Sequence, residues 1–127
     1  MIQGIGIDSV DKIRVSEIFS KYGERFQEKI LSHDERKEIV MKLTDSSKIR
    51  YLSNNFAGKE ALSKVLGLGI SEGISLKEIE ILRNSKGKPY INLLGRTKEI
   101  AMSLNIQKLM ISITDTQDIS TAFVIGE

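Results

Sequence analysis

Apolar residues come in two rhythms along this chain, and each rhythm predicts a different kind of element. At the start, Ile2, Ile5 and Ile7 form a short apolar run interleaved with Gly4 and Gly6, which predicts a strand over residues 2–8 that leaves room for close backbone approach. Asp8 falls at its exit. Over residues 11–22 the spacing becomes helical, with Ile13, Ile18, Phe19 and Tyr22 on one side and Gly23 placed as the C-terminal stop. Ser32-His33-Asp34-Glu35 has the form of a capping box, in which serine and glutamate each satisfy a free backbone N–H, so a second helix is expected to about residue 43. A third, longer helix, capped by Ser46 or Ser47, is expected to reach Leu66. It ends at Gly67 and Gly69, where positive backbone angles cost little.

The second half alternates with period two. Ile79 and Ile81 with their polar neighbours, then the turn Asn84-Ser85-Lys86-Gly87, then residues 89–93 predict a hairpin. Residues 96–104 read as a helix. Residues 108–114 and 120–125 predict a second hairpin, with residues 115–118 at the bend. Clustered helices followed mainly by antiparallel strands make an α+β domain. A length of 127 residues suits a single domain spanning 1–127, and no internal repeat divides it.

Composition removes several function classes. Without cysteine there is no disulfide, thiol catalysis or Cys-ligated zinc, and one histidine rules out a His-rich metal site within one subunit. A metal here must therefore prefer oxygen ligands. No stretch approaches the length of apolar sequence that a membrane helix needs, and no basic leader with an apolar run opens the chain, which predicts a cytoplasmic protein. A net charge of +2 is too mild to call for nucleic acid. The basic residues Lys12, Arg14, Lys21, Arg25 and Lys29 recur through an amphipathic region with Ile13, Ile18, Phe19 and Phe26, which suits an acidic partner helix. Asp11, Glu17, Glu24 and Glu28 also allow it to be an ordinary solvated face.

Two segments carry candidate chemistry. Gly4-Ile5-Gly6-Ile7-Asp8 puts a carboxylate at a strand end, and Phe56-Ala57-Gly58-Lys59-Glu60-Ala61 puts another inside a helix. Residues four apart share a helix face, so Phe56, Glu60 and Lys64 form one stripe leading towards Gly67. Read alone, Glu60 and Lys64 are equally an ordinary surface pair worth about 0.2–0.5 kcal/mol. If Asp8 and Glu60 converge on a pyrophosphate, each like-charge contact near 4 Å costs roughly 1 kcal/mol in water and nearer 4 kcal/mol at an effective dielectric of 20. Mg²⁺ removes that cost, since it accepts one or two carboxylates together with phosphate oxygens. Lys64 and the backbone near Gly67 and Gly69 then offer positive charge and N–H groups to phosphate. The Gly4-Ile5-Gly6 run lacks the third glycine of a dinucleotide fingerprint, and that reading is rejected.

In combination and order these motifs, with Val10, Arg14, Arg25-Phe26, Gly67-Leu68-Gly69, Gly87-Lys88-Pro89-Tyr90 and Ile111-Ser112-Ile113-Thr114, resemble the holo-acyl-carrier-protein synthase family of small phosphopantetheinyl transferases. The likeness covers nearly the whole chain. It implies transfer of 4′-phosphopantetheine from coenzyme A to a serine of apo acyl carrier protein, in fatty acid biosynthesis, with release of adenosine 3′,5′-bisphosphate. It implies Asp8 and Glu60 as Mg²⁺ ligands, and Asp8, Glu60 and Lys64 as catalytic groups, Glu60 deprotonating the serine directly or through water. It implies Lys59, Lys64, Gly67, Gly69, Lys88 and Pro89 at coenzyme A, and Arg14, Lys21, Arg25, Phe26 and Lys29 at the carrier. A homotrimer with active sites between subunits is implied too.

Three positions depart from the family pattern. Asp115 stands where histidine is usual, Asn55 where a basic residue commonly precedes the aromatic, and Leu68 where threonine separates the glycines. Each is expected to weaken a contact at the nucleotide end, and Asp115 and Asn55 keep open a non-catalytic module that binds coenzyme A or an acidic protein. His33 is expected at the surface or in a cap.

Overall fold

A computed structural model describes residues 1–127 apart from Ser71. The chain is an α+β domain in the order β1 (Gly4–Asp11), α1 (Lys12–Tyr22), α2 (Glu24–Ile30), α3 (His33–Val40), α4 (Asp45–Leu66), β2 (Ile79–Arg83), β3 (Pro89–Leu93), α5 (Gly95–Ser103), β4 (Leu109–Asp115) and β5 (Ile119–Gly126). β5 is the middle strand of an antiparallel sheet ordered β1-β5-β4, while β2 and β3 pair as a separate hairpin. β1 continues past Asp8 because Asp8 to Asp11 remain paired with Ala122 to Ile119 of β5.

Gly23 stops α1 as predicted, its N–H donating to the Phe19 carbonyl, but its φ of 56° also turns the chain straight into α2. That short helix was not predicted. It places Phe26 and Ile30, four residues apart, against a core of Val15, Leu31, Ile39, Tyr51 and Leu52. The Ser32–Glu35 capping box forms, but α3 ends at Val40 rather than near residue 43. Val40, Met41 and Leu43 are all exposed, so no apolar contact rewards another turn. α4 begins two or three residues earlier than expected from a Ser46 or Ser47 cap. Thr44 is its cap, with Thr44 Oγ1 accepting from the Ser47 N–H and Ser47 Oγ accepting from the Thr44 N–H.

α4 is buried on several sides. Ala57, Ala61, Leu62, Val65 and Leu66 join Ile79, Ile81, Ala122 and Val124 in one core, and Tyr51 and Leu52 join the α1–α2–α3 core. The helix thus runs between the three-stranded sheet and the rest of the molecule. Among the described residues no helix is long and apolar enough to cross a membrane.

Candidate active site

The side chains of β1 alternate, and its even-numbered positions turn inward, whereas Ile5 and Ile7 point outward. A Cβ on Gly4 or Gly6 would overlap the carbonyl oxygens of Val65 and Ala61, so the missing side chains let β1 lie directly on the α4 backbone. Asp8 is the next residue on that face and is thereby delivered to α4. Lys64 Nζ stands 3.2 Å from Asp8 Oδ1 and donates to the Ile7 carbonyl at 2.8 Å. Asp8, Glu60 and Phe56 line one pocket of about 330 Å³ together with Arg14, Ile18 and Phe26. The stripe read from the sequence therefore meets Asp8, which lies within β1 rather than at its end.

Burial raises the proton affinity of the Glu60 carboxyl above its ordinary value; the Asp8 carboxylate adds to the rise and Lys64 opposes it. Two carboxylates facing one pocket form a hard, anionic oxygen donor set. They fit Mg²⁺, which needs only one or two protein carboxylates when phosphate oxygens and water complete its shell. Among the described residues no group of three or more metal-ligating side chains gathers, so this is a two-carboxylate site rather than a closed cage.

Residues 4–124 match the 4′-phosphopantetheinyl transferase superfamily. The chain belongs to that superfamily. It is 41% identical to the holo-[acyl-carrier-protein] synthase of Maridesulfovibrio salexigens, with 100% of this chain and 99% of the relative covered. The corresponding synthase of Blochmanniella pennsylvanica is 38% identical over 100% of this chain and 99% of its own. Among solved structures, the Neisseria meningitidis holo-[acyl-carrier-protein] synthase superposes with a TM-score of 0.90 at 31% identity, covering 100% and 99% of the two chains. The Helicobacter pylori synthase, solved in complex with coenzyme A, gives 0.82 at 32% identity over 97% and 99%.

Within this phosphopantetheinyl transferase, other expected site residues lie elsewhere. Lys59 is fully buried, on a different face of α4 from Glu60. Its Nζ bonds Glu35 Oε1 at 2.6 Å and the carbonyls of Ile30, Leu76 and Ile79 at 2.6–2.8 Å. Four acceptors face its three ammonium N–H donors, an environment that favours the charged form. Burial lowers its proton affinity and Glu35 restores part of it. Lys59 is therefore a core ion, and the expectation that it meets coenzyme A is corrected. Asn55 is likewise internal, donating to Glu35 and to the Ile81 carbonyl and accepting from Arg83, so it contacts no nucleotide. Leu68 is partly buried and packs against the core.

Gly67 takes the left-handed conformation at φ 70°, and its N–H caps the helix on the Lys64 carbonyl instead of remaining open for phosphate. Gly69 is extended at φ −80°, contrary to the positive angle expected. Lys88 belongs to the β2–β3 turn, where Asn84 Oδ1 accepts from its N–H, and Pro89 lines a second cleft with Arg50 and Asp115. Neither lines the Asp8–Glu60 pocket. His33 is the exposed first residue of α3, at the surface.

Arg25, Phe26 and Lys29 line a cleft that adjoins the Asp8–Glu60 pocket through the shared walls Ile18, Phe26 and Phe56, and Arg14 lines the pocket itself. Lys21 lines neither, and its ammonium lies 5.3 Å from the Tyr22 ring centroid. Lys12 has left this face altogether. It bonds Asp115 Oδ2 at 2.6 Å, and Arg50 Nε bonds the same oxygen at 2.8 Å. Burial would raise the Asp115 proton affinity, but hydrogen bonds from Lys12 and Arg50 outweigh it and hold the carboxyl below its ordinary value. Lys12 and Arg50 were not singled out for Asp115, and only the fold brings positions so distant in sequence together.

Proposed function

We propose that this chain transfers the 4′-phosphopantetheine group of coenzyme A to a serine hydroxyl of apo acyl carrier protein, giving holo carrier and adenosine 3′,5′-bisphosphate. The observation that carries this reading is that Asp8 and Glu60 line one pocket, with the Lys64 ammonium 3.2 Å from Asp8, in a superfamily member that aligns with holo-[acyl-carrier-protein] synthases along its whole length.

In this reading Asp8 and Glu60 hold Mg²⁺. When bound, the ion supplies positive charge where negative charge builds on the phosphates and removes the repulsion between the two carboxylates. Lys64 turns from Asp8 to the phosphate oxygens, neutralising charge as a movable ammonium. Glu60 faces the pocket and is placed to accept the serine proton, directly or through water. The apolar walls Ile18, Phe26 and Phe56 reduce access of competing water, and Arg14, Arg25 and Lys29 face the acidic carrier.

A homotrimer with shared active sites belongs to the same proposal, supported by two features. The outer face of the sheet carries Ile5, Ile7, Met110 and Phe123, each at least 38% exposed, with Ile5 opposite Ile125 and Ile7 opposite Phe123. Such a contiguous apolar face suits burial against other copies. The Pro89 cleft and the Asp8–Glu60 pocket share no lining residue within one subunit, as two halves of an interfacial site would not. Asp8→Ala and Glu60→Ala test the reading: each is expected to abolish transfer in a folded protein, and full activity in both would overturn it.

A further inference from the structure

Lys59 holds three separate backbone segments to α4 at once. Its Nζ donates to the carbonyls of Ile30 at 2.8 Å, Leu76 at 2.7 Å and Ile79 at 2.6 Å, with Glu35 Oε1 at 2.6 Å as the balancing charge. Ile30 is the last residue of α2, and Leu76 opens the single helical turn Leu76–Glu78 that leads into β2. Both line the cleft of about 540 Å³ that also contains Arg25 and Lys29. One ammonium therefore ties two walls of that cleft to α4. The same cleft shares Ile18, Phe26 and Phe56 with the Asp8–Glu60 pocket.

α2 needs such a tie. Its seven residues make too short a helix to persist on backbone bonds alone. At its N-terminal end Gly23 supplies no side-chain cap, and a Cβ there would meet nothing within 4 Å, so α2 leaves α1 through an open turn. At its C-terminal end the last carbonyls lack partners within the helix. Lys59 Nζ supplies a donor to that of Ile30 and puts positive charge at the negative end of the helix dipole. Burial of Ile30 and Leu31 keeps α2 on the core, but apolar contact is non-directional, and the bond from Lys59 fixes where the helix ends. Phe26, one turn before Ile30, takes its place in the shared wall from that anchor.

We propose that Lys59 is a positioning residue for the acceptor protein: by docking the end of α2 on α4 it preassembles the cleft of Arg25, Phe26 and Lys29, without itself touching a substrate. The inference rests on the transfer proposed above. A protein acceptor must present its serine at the Asp8–Glu60 pocket, and this adjoining cleft offers it two cations over apolar walls. The contact of Asp8 with Lys64 does not pass through the Lys59 bonds, so the metal-binding side of the pocket keeps its geometry without them.

Steady-state kinetics for both substrates test this in the wild type, in Lys59→Met and in Lys59→Met combined with Glu35→Leu, each with a urea melt and hydrogen exchange read by mass spectrometry. The double variant leaves no unpaired buried charge and regains part of the lost stability, but it cannot restore the bond to the Ile30 carbonyl. Both variants are expected to raise the KM for apo acyl carrier protein by about tenfold, as when α2 is docked about a tenth of the time, with kcat and the KM for coenzyme A within about twofold of the wild type. Amides of residues 24–31 should exchange faster while those of β5 keep their protection. A carrier KM that recovers with stability in the double variant, or that moves in step with the KM for coenzyme A, overturns the positioning role and leaves the transfer reading intact. If neither variant folds, the wild type decides: amides of residues 27–31 protected as strongly as those of α4 support the anchor, and exchange at the rate of a frayed end overturns it. No transfer by the wild type overturns the transfer reading and this role with it.

Discussion

Gly6 of β1 rests on the carbonyl oxygen of Ala61 in α4, at a separation that admits no side chain. The contact sets the depth of the strand on the helix, and Asp8, two residues along the same strand face, meets Lys64 as a result. Gly6→Ala is expected to cost about 1–3 kcal/mol by overpacking. Because it also shifts Asp8 relative to Glu60, transfer is expected to fall by about a hundredfold even in the folded fraction. Chemical denaturation beside single-turnover rates separates the two effects, and a stable, fully active variant would refute the positioning role.

Lys59 and Glu35 form an ion pair with both side chains at 0% exposure. Lys59→Met strands a buried carboxylate and is expected to destabilise the fold by about 3–5 kcal/mol. Replacing both partners, Lys59→Met with Glu35→Leu, is expected to cost less than the sum of the single losses, since neither charge remains unpaired. Urea melts of the four proteins measure this coupling.

Asp115 links stability to pH. Its proton affinity is depressed in the fold, so its contribution is present above the ordinary aspartate value of about 3.9 and is lost as pH falls through the lower, folded value. Asp115→Asn is expected to lower the melting temperature at neutral pH and to flatten its decline in acid. Parallel curves for the two proteins would contradict that linkage.

Arg25→Glu is expected to raise the KM for the carrier and to blunt its salt dependence, because charge that steers encounter is reversed. Arg14→Glu should do the same and also slow turnover, since Arg14 lines the Asp8–Glu60 pocket. Steady-state kinetics across ionic strength distinguish them.

Local signals were legible where one segment decides the outcome. The Ser32–Glu35 capping box, the Gly67 stop and the β2–β3 hairpin formed as read, because each depends on residues close in sequence. The pairing of β1 with β5 spans the whole chain and carries no local mark. Lys59 shows the limit most plainly. It adjoins Glu60 in sequence, yet a helix step of about 100° turns it to another face, into a buried site built from Ile30, Glu35, Leu76 and Ile79. Lys12, Arg50 and Asp115 likewise meet only after α1, α4 and β4 have packed.

The central claim is tested most directly by intact mass spectrometry of apo acyl carrier protein after incubation with this protein, coenzyme A and Mg²⁺, with an EDTA control. The account predicts a metal-dependent gain of one phosphopantetheine on the carrier. An unchanged carrier mass, from folded protein and several carriers, would contradict it.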